Sequence, residues 1–178
     1  MKLTIITPCS RPDNLQKVRE SIKLKCEWII CHDSEDPIKI FDEKWITEIF
    51  VQGGVSGNKQ RNMALNYVFS EDFVYFLDDD NLLHPDLIKF FEKNKFEHKG
   101  YIFGQDLGDK LRLPDKENIK VNFVDQAQYL LHYTLLHNRR FKQVYEADGH
   151  MIEEIYREFK SQILVTHEVM CYYNKLRQ

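Results

Sequence analysis

At 178 residues the chain has the length of one domain, and 43% hydrophobic with 30% charged residues describes a globular protein able to bury a sizeable core. A formal net charge of -3 makes nucleic acid an unsuitable main partner, because phosphate-backbone binders carry a basic field. No apolar run reaches bilayer-spanning length, so no transmembrane segment is expected, and the first residues open as a strand rather than as a signal peptide.

Leu3 to Ile6 reads as a short buried strand, stopped by Thr7-Pro8-Cys9-Ser10-Arg11-Pro12. Asp13 is placed to cap a helix whose Leu15, Val18 and Ile22 share one face. Trp28 to Cys31 is a second strand, ending at His32-Asp33-Ser34, and Ile46 to Val51 is a third. Gly53-Gly54-Val55-Ser56-Gly57 is a flexible turn that opens a helix carrying Lys59 and Arg61. Phe73 to Leu77 reads as a strand buried on both faces, and Pro85 starts a helix with Leu87, Ile88 and Phe91 at helical spacing. Strand then helix, repeated, argues for parallel β-α-β units.

After Lys99 the rhythm changes. Tyr101 to Phe103 looks like a strand, Gly104 to Lys116 like a loop or hairpin, and Val121 to Val124 like a further short strand. Gln126 to Leu136 and Gly149 to Phe159 can be helices, and Ile163 to Val165 a last strand with Thr166-His167 at its end. No repeat or linker marks a second domain. Cys9, Cys26, Cys31 and Cys171 form no metal-type pair and no disulfide framework, which suits free thiols in a reducing compartment. A cytoplasmic location is expected, with membrane association only through a partner.

The chemistry concentrates at the strand ends. Asp78-Asp79-Asp80 follows an apolar strand that no core would let continue into unpaired carboxylates, and alternate acids at such a corner suit a divalent cation that also accepts phosphate oxygens. The bland alternative is an acidic turn with a helix cap. In a parallel sheet Thr7, Asp33, the glycine turn and the three acids all point to one edge, where open α/β sheets bind ligands. The glycine turn lacks the Gly-Lys-Ser/Thr ending of a Walker motif. It still joins backbone N–H groups and a helix start to Lys59 and Arg61, a reasonable diphosphate cradle. Asp33 could accept hydrogen bonds from a nucleobase or ribose, or simply cap a turn.

Taken in order, Thr7-Pro8 with Arg11-Pro12, Trp28-Ile29-Ile30 with Asp33-Ser34, Gly54 to Asn62, and Phe76-Leu77-Asp78-Asp79-Asp80 resemble the GT-A glycosyltransferases. The likeness is to the small, inverting, family-two-like members and covers most of the chain. It implies a single α/β domain with a GT-A-like, Rossmann-like, mixed but mostly parallel sheet flanked by helices. Residues 1–99 would form a nucleotide-binding half and 100–178 an acceptor-side half. It further implies a hexosyltransferase-like enzyme with a nucleotide-sugar donor, uridine diphosphate being the first choice, and Mn2+ or Mg2+. The acceptor would be a glycan, a lipid-linked compound or another hydroxyl. By this resemblance Asp33 meets the base, Asp78 the ribose or sugar, and Asp80 of the Asp-x-Asp pattern the metal, with Asp79 supporting. Thr7, Lys59 and Arg61 fall in segments near the nucleotide.

Tyr145 to His150 resembles the segment that supplies the family's catalytic carboxylate at a helix start. The usual Glu-Asp pair is Ala147-Asp148 here, so Asp148 is the expected base, with Glu146 the substitute and a helix cap the bland reading for Asp148. A carboxylate suits proton removal from an acceptor hydroxyl if partial burial raises its pKa. His167 resembles the further metal ligand many GT-A enzymes offer near the C-terminus. Gln126, Tyr129 and the Tyr172-Tyr173 pair could shape an acceptor pocket, although aromatics at such spacing also suit a core. Two rivals remain: a nucleotidyltransferase, which would want a glycine-rich loop where Thr7 to Pro12 has no glycine, and a non-catalytic nucleotide-sugar-binding module. A glycoside hydrolase would need two facing carboxylates at a set distance.

Overall fold

The computed structural model describes residues 2–93, 96–136 and 138–177. Its strands are β1 (Leu3–Cys9), β2 (Glu27–His32), β3 (Ile46–Phe50), β4 (Phe73–Phe76), β5 (Gly100–Asp106), β6 (Leu111–Arg112), β7 (Tyr129–His132) and β8 (Ile163–Tyr172). Its helices are α1 (Leu15–Ser21), α2 (Asn58–Ala64), α3 (Pro85–Lys93), α4 (Tyr133–Leu136) and α5 (Ala147–Phe159). One sheet runs β3-β2-β1-β4-β7-β5-β6, with β8 paired to β5. The β1–β2, β1–β4, β2–β3 and β5–β8 pairs are parallel, while β7 lies antiparallel between β4 and β5 and β6 folds back on β5.

The period-2 alternation of the strands divides the core into two layers. Ile6, Ile29, Cys31, Val74 and Phe76 pack on one face with Ala64, Leu135, Ile152 and Ile155 of α2, α4 and α5. Leu3, Ile5, Trp28, Ile30, Phe73 and Tyr75 pack on the other with Leu15, Val18 and Leu87 of α1 and α3. Each fully buried aliphatic or aromatic side chain contributes about 1.5–3 kcal/mol, so both faces are strongly held and register is fixed.

The first half follows the sequence pattern with small shifts. β1 continues through Pro8 to Cys9. Ile6 O accepts from Leu77 and Cys9 O from Asp33, so Pro8 turns its missing N–H to the side that β4 has already left. Asp13 makes no cap; a 3-10 turn, Pro12–Asn14, leads into α1 instead. The second half departs further. The expected strand at Val121 to Val124 is a turn, with Asn122 at φ 69. The expected helix at Gln126 to Leu136 is a 3-10 turn, then β7, then α4. Tyr129 and Leu131 join one core layer and Leu130 the other, a placement for consecutive residues that only a strand allows. β8 runs on well past Val165 because its partner β5 is also longer than its apolar centre.

Candidate functional site

The parallel strands deliver their C-terminal ends to one edge, and the antiparallel β7 delivers its beginning there, since Tyr75 pairs Leu130 and residues before Tyr129 extend beyond Phe76. Together they line a cleft of about 550 Å³. Ser10 and Arg11 follow β1, Asp33 follows β2, Gly54 to Arg61 follow β3, and Asp78, Asp79 and Asp80 follow β4. Opposite come Asp125 and Gln126 before β7, Glu146 and Asp148 at the start of α5, Arg112 on β6, and Tyr173, Asn174 and Arg177 after β8.

The three aspartates differ in what they do. Asp79 is 2% exposed and accepts the backbone N–H groups of Ser10 and Arg11 at 2.6 Å each, with Arg11 Nη1 at 2.6 Å. It stitches the β1 loop to the corner. Asp78 accepts from Arg61 Nη2 at 2.7 Å, and its side chain is about a third exposed. Asp80 meets Arg11 Nη1 at 3.4 Å and the guanidinium of Arg177. Burial raises the Asp80 pKa, and the charge of Asp78 pushes it the same way.

Arg61 is held by the turn before it: Nη1 donates to Ser56 O at 2.6 Å and Asn58 Oδ1 at 3.1 Å, and the guanidinium lies over Phe141. Gly57 caps α2 at φ +76, and a Cβ there would meet Pro8 at 2.8 Å, so only glycine lets this turn close on the end of β1. Asp33 Oδ1 accepts from Gly53 N–H at 2.7 Å and so anchors the same turn. Arg61 Nε and Tyr129 Oη are buried without a hydrogen-bond partner among the described residues.

Asp148 lies in the first turn of α5, just inside the N-cap Glu146, and its Oδ1 accepts from the first-turn N–H of Gly149 at 2.8 Å. Burial raises its pKa most, Gly149 N–H and Arg61 pull it down, and Asp78 raises it. A Cβ on Gly149 would lie 2.8 Å from Val121 Cα, so the 121–124 turn packs directly on the helix start that carries Asp148.

The structure brings Asp33, Arg61, Asp78, Asp79, Asp80 and Asp148 to one cleft and leaves three predicted residues outside it. Thr7 alternates onto the Trp28 face, fully buried, and accepts from Trp28 Nε1 at 2.9 Å. Lys59 turns back to donate its Nζ to Gln52 O at 2.6 Å. His167 sits exposed in a β-bulge of β8, where Ile102 pairs Val165 but Gly104 pairs Val169. Of the acceptor-pocket candidates, Gln126 and Tyr173 line the cleft, Tyr129 is core, and Tyr172 packs on His84.

Asp125 is the main residue the sequence reading passed over. It caps the 3-10 turn in a reciprocal box, accepting from Ala127 N–H while Gln128 accepts from its own N–H. Burial pushes its pKa to about 6, with Asp78 and Asp148 adding to the rise. Its signal was the Asp-x-x-Gln spacing, a helix-start pattern.

Among the described residues no three His, Cys, Asp or Glu side chains converge as a metal cage. Asp78 and Asp80 both line the cleft, each ion-paired with arginine, Asp78 with Arg61 and Asp80 with Arg11 and Arg177; one or two carboxylates are what a hard cation that keeps its waters would need.

No known family model and no curated protein sequence matches the chain. Solved structures do. Residues 1–349 of S. aureus TarS, a glycosyltransferase, superpose with a TM-score of 0.72 at 13% identity, covering 97% of this chain and 60% of that one. The 2-C-methyl-D-erythritol 4-phosphate cytidylyltransferase of Francisella tularensis gives 0.55 at 13% identity, over 98% and 92%. The inositol-1-phosphate CTP transferase of T. maritima gives 0.50 at 13%, over 96% and 85%. The chain thus spans about three fifths of the TarS fragment it matches. What is shared at this identity is the fold, and by it the chain is a single GT-A-like domain, a mixed and mostly parallel sheet flanked by helices.

Proposed function

We propose that the chain is a metal-dependent inverting glycosyltransferase that moves a sugar from a nucleoside-diphosphate donor, first choice a UDP-sugar, to a hydroxyl acceptor. The observation that carries this reading is the pairing of two sides in one cleft: Asp33, Arg61 and the acid corner on one, and the half-buried Asp148, its pKa raised by desolvation, on the other. Asp33 receives the base or ribose, and Arg61 with the glycine turn takes the diphosphate. Asp78 takes the ribose or sugar, and Asp80 holds the cation with Asp79 fixing the corner. A bound Mn2+ or Mg2+ supplies positive charge that stabilises the departing diphosphate. The acceptor oxygen bonds to the anomeric carbon as the carbon–diphosphate bond breaks, the electron pair leaving with the diphosphate and the proton passing to Asp148. Attack opposite the leaving group inverts the configuration.

Asp148→Asn is expected to lower transfer and donor hydrolysis about 10²–10⁴-fold with little change in UDP binding. Because the base must be ionised, wild-type activity falls as pH drops through a limb above the ordinary Asp range. Full activity in Asp148→Asn would remove the base assignment. A second reading, nucleotidyl transfer, is favoured by coverage: the chain spans 92% of the cytidylyltransferase but 60% of the TarS fragment. Release of pyrophosphate from CTP with a phosphate-bearing alcohol, and no UDP release from UDP-sugars, would select it. Nucleotide binding without any turnover would select the binding module.

A further inference from the structure

Strand β8 ends at the cleft edge, and residues 173–177 then cross the acid corner as a strap. Leu176 N–H donates to Asp80 O at 2.9 Å, Lys175 N–H to Asn81 Oδ1 at 3.1 Å, and Asn81 Nδ2 to Tyr172 O at 3.0 Å. Arg177 N–H closes a turn on Asn174 O at 2.9 Å, and the Leu176 side chain packs against the core. The backbone of the strap is therefore fixed to the residues beside the Asp80 carboxylate.

That turn sets the Arg177 guanidinium on Asp80 Oδ2, the oxygen that Arg11 also approaches at 3.4 Å. The Asp80 side chain is 5% exposed and Arg177 is 50% exposed. Arg11 is tied down by Asp79 at 2.6 Å, while Asp80 is the ion-pair partner that holds Arg177. A divalent cation on this carboxylate would sit among two guanidinium charges, and like charges at such range repel where bulk water does not screen them. Arg177 is the group free to yield.

We infer that Arg177 is a resident counter-ion of Asp80, displaced by the divalent cation and transferred on its anchored strap to the donor's diphosphate. The second half of this exchange rests on the donor-site reading above; the first half needs only a cation on Asp80. Cation alone then binds weakly because it must break the ion pair, and nucleoside diphosphate strengthens its binding by giving the guanidinium a new partner. The two ligands are coupled through one side chain, and the coupling is reciprocal.

The test is Mn2+ binding, followed by electron paramagnetic resonance of the free ion, to the full chain with and without UDP, in wild type, Arg177→Gln and Arg177→Lys. Arg177→Gln is expected to bind Mn2+ alone about tenfold tighter than wild type, and to lose most of the strengthening by UDP. Arg177→Lys, which keeps the charge, should resemble wild type. Equal Mn2+ affinity in wild type and Arg177→Gln without UDP overturns the exchange, even if both bind UDP and the donor site stands. Tighter Mn2+ in Arg177→Gln with no UDP binding by any variant keeps the exchange and removes the donor-site reading. No Mn2+ uptake by any variant removes both.

Discussion

Asp125 shows how a carboxylate can be structurally satisfied and still costly. Its Oδ1 takes the Ala127 N–H at 2.9 Å, yet burial and the charges of Asp78 and Asp148 push its pKa from the ordinary 3.8 to about 6. A folded-state pKa above the unfolded one means that the folded chain binds the extra proton, so the associated stability is present below about pH 4 and is lost as pH rises through about 6. The loss amounts to ~3 kcal/mol at most for that shift. Asp125→Asn keeps the acceptor oxygen of the cap and removes the charge, so it is expected to be more stable than wild type at pH 8 and to gain little at pH 4. Urea denaturation of both proteins across pH 4–8 measures this, and parallel curves would show that the Asp125 carboxyl does not titrate in the window. Asp148 carries the same sign with an opposing use. Its raised pKa costs stability when ionised, as the proposed base must be, so on that proposal Asp148→Asn should lose turnover while holding or gaining stability at neutral pH.

The elements that position the site depend on a few buried polar joints. Glu48 on β3 is 8% exposed; its Oε2 pairs with His32 Nε2 at 2.7 Å, and its Oε1 accepts from Ile40 and Phe41 N–H at 2.9 and 2.8 Å. This joint ties the end of β2, and hence Asp33, to the 36–41 loop. Glu48→Ala leaves two backbone donors and a histidine unpaired, an expected loss of about 2–4 kcal/mol, with Glu48→Gln losing less. Equal denaturation midpoints for wild type and Glu48→Ala would show the joint to be dispensable. Elements up to Lys93 were legible because each parallel unit has a local signature: an apolar run, a turn, then 3.6-residue periodicity. β7 was not, because Tyr129-Leu130-Leu131 suits a helix or a strand equally, and its partners β4 and β5 lie far away in sequence. The 121–124 segment failed for a related reason, since Asn122 at φ 69 turns an apolar pair into a corner that is set by Gly149 beneath it.

Across the whole molecule, the misread strand is also what hid Asp125, and the unread length of β8 what hid Asn174 and Arg177. With β7 antiparallel, Asp125 and Gln126 arrive at the edge where β1, β2 and β4 end, and with β8 extended, Tyr173, Asn174 and Arg177 arrive there too. The first-half residues were placed by a rule about parallel strand ends; Asp148, Glu146, Gln126 and Tyr173 were named from the segments they lie in, whereas Asp125, Asn174 and Arg177 required knowing which way a strand runs and how far. The completed cleft holds seven carboxyl side chains against four arginines, and Arg11, Arg61 and Arg177 are already paired with the acid corner. A diphosphate entering such a site gains little from those cations unless they are released, and it meets uncompensated carboxylate charge where field lines are not screened by bulk water. A divalent cation resolves both difficulties, offsetting the acids and freeing guanidinium groups. UDP affinity should therefore fall about tenfold or more when divalent ions are stripped with EDTA and return with Mn2+ or Mg2+, whereas uridine, lacking phosphates, should be indifferent. Calorimetric titration of both ligands under both conditions decides it, and UDP bound equally well in EDTA would mean that the arginines alone carry the diphosphate.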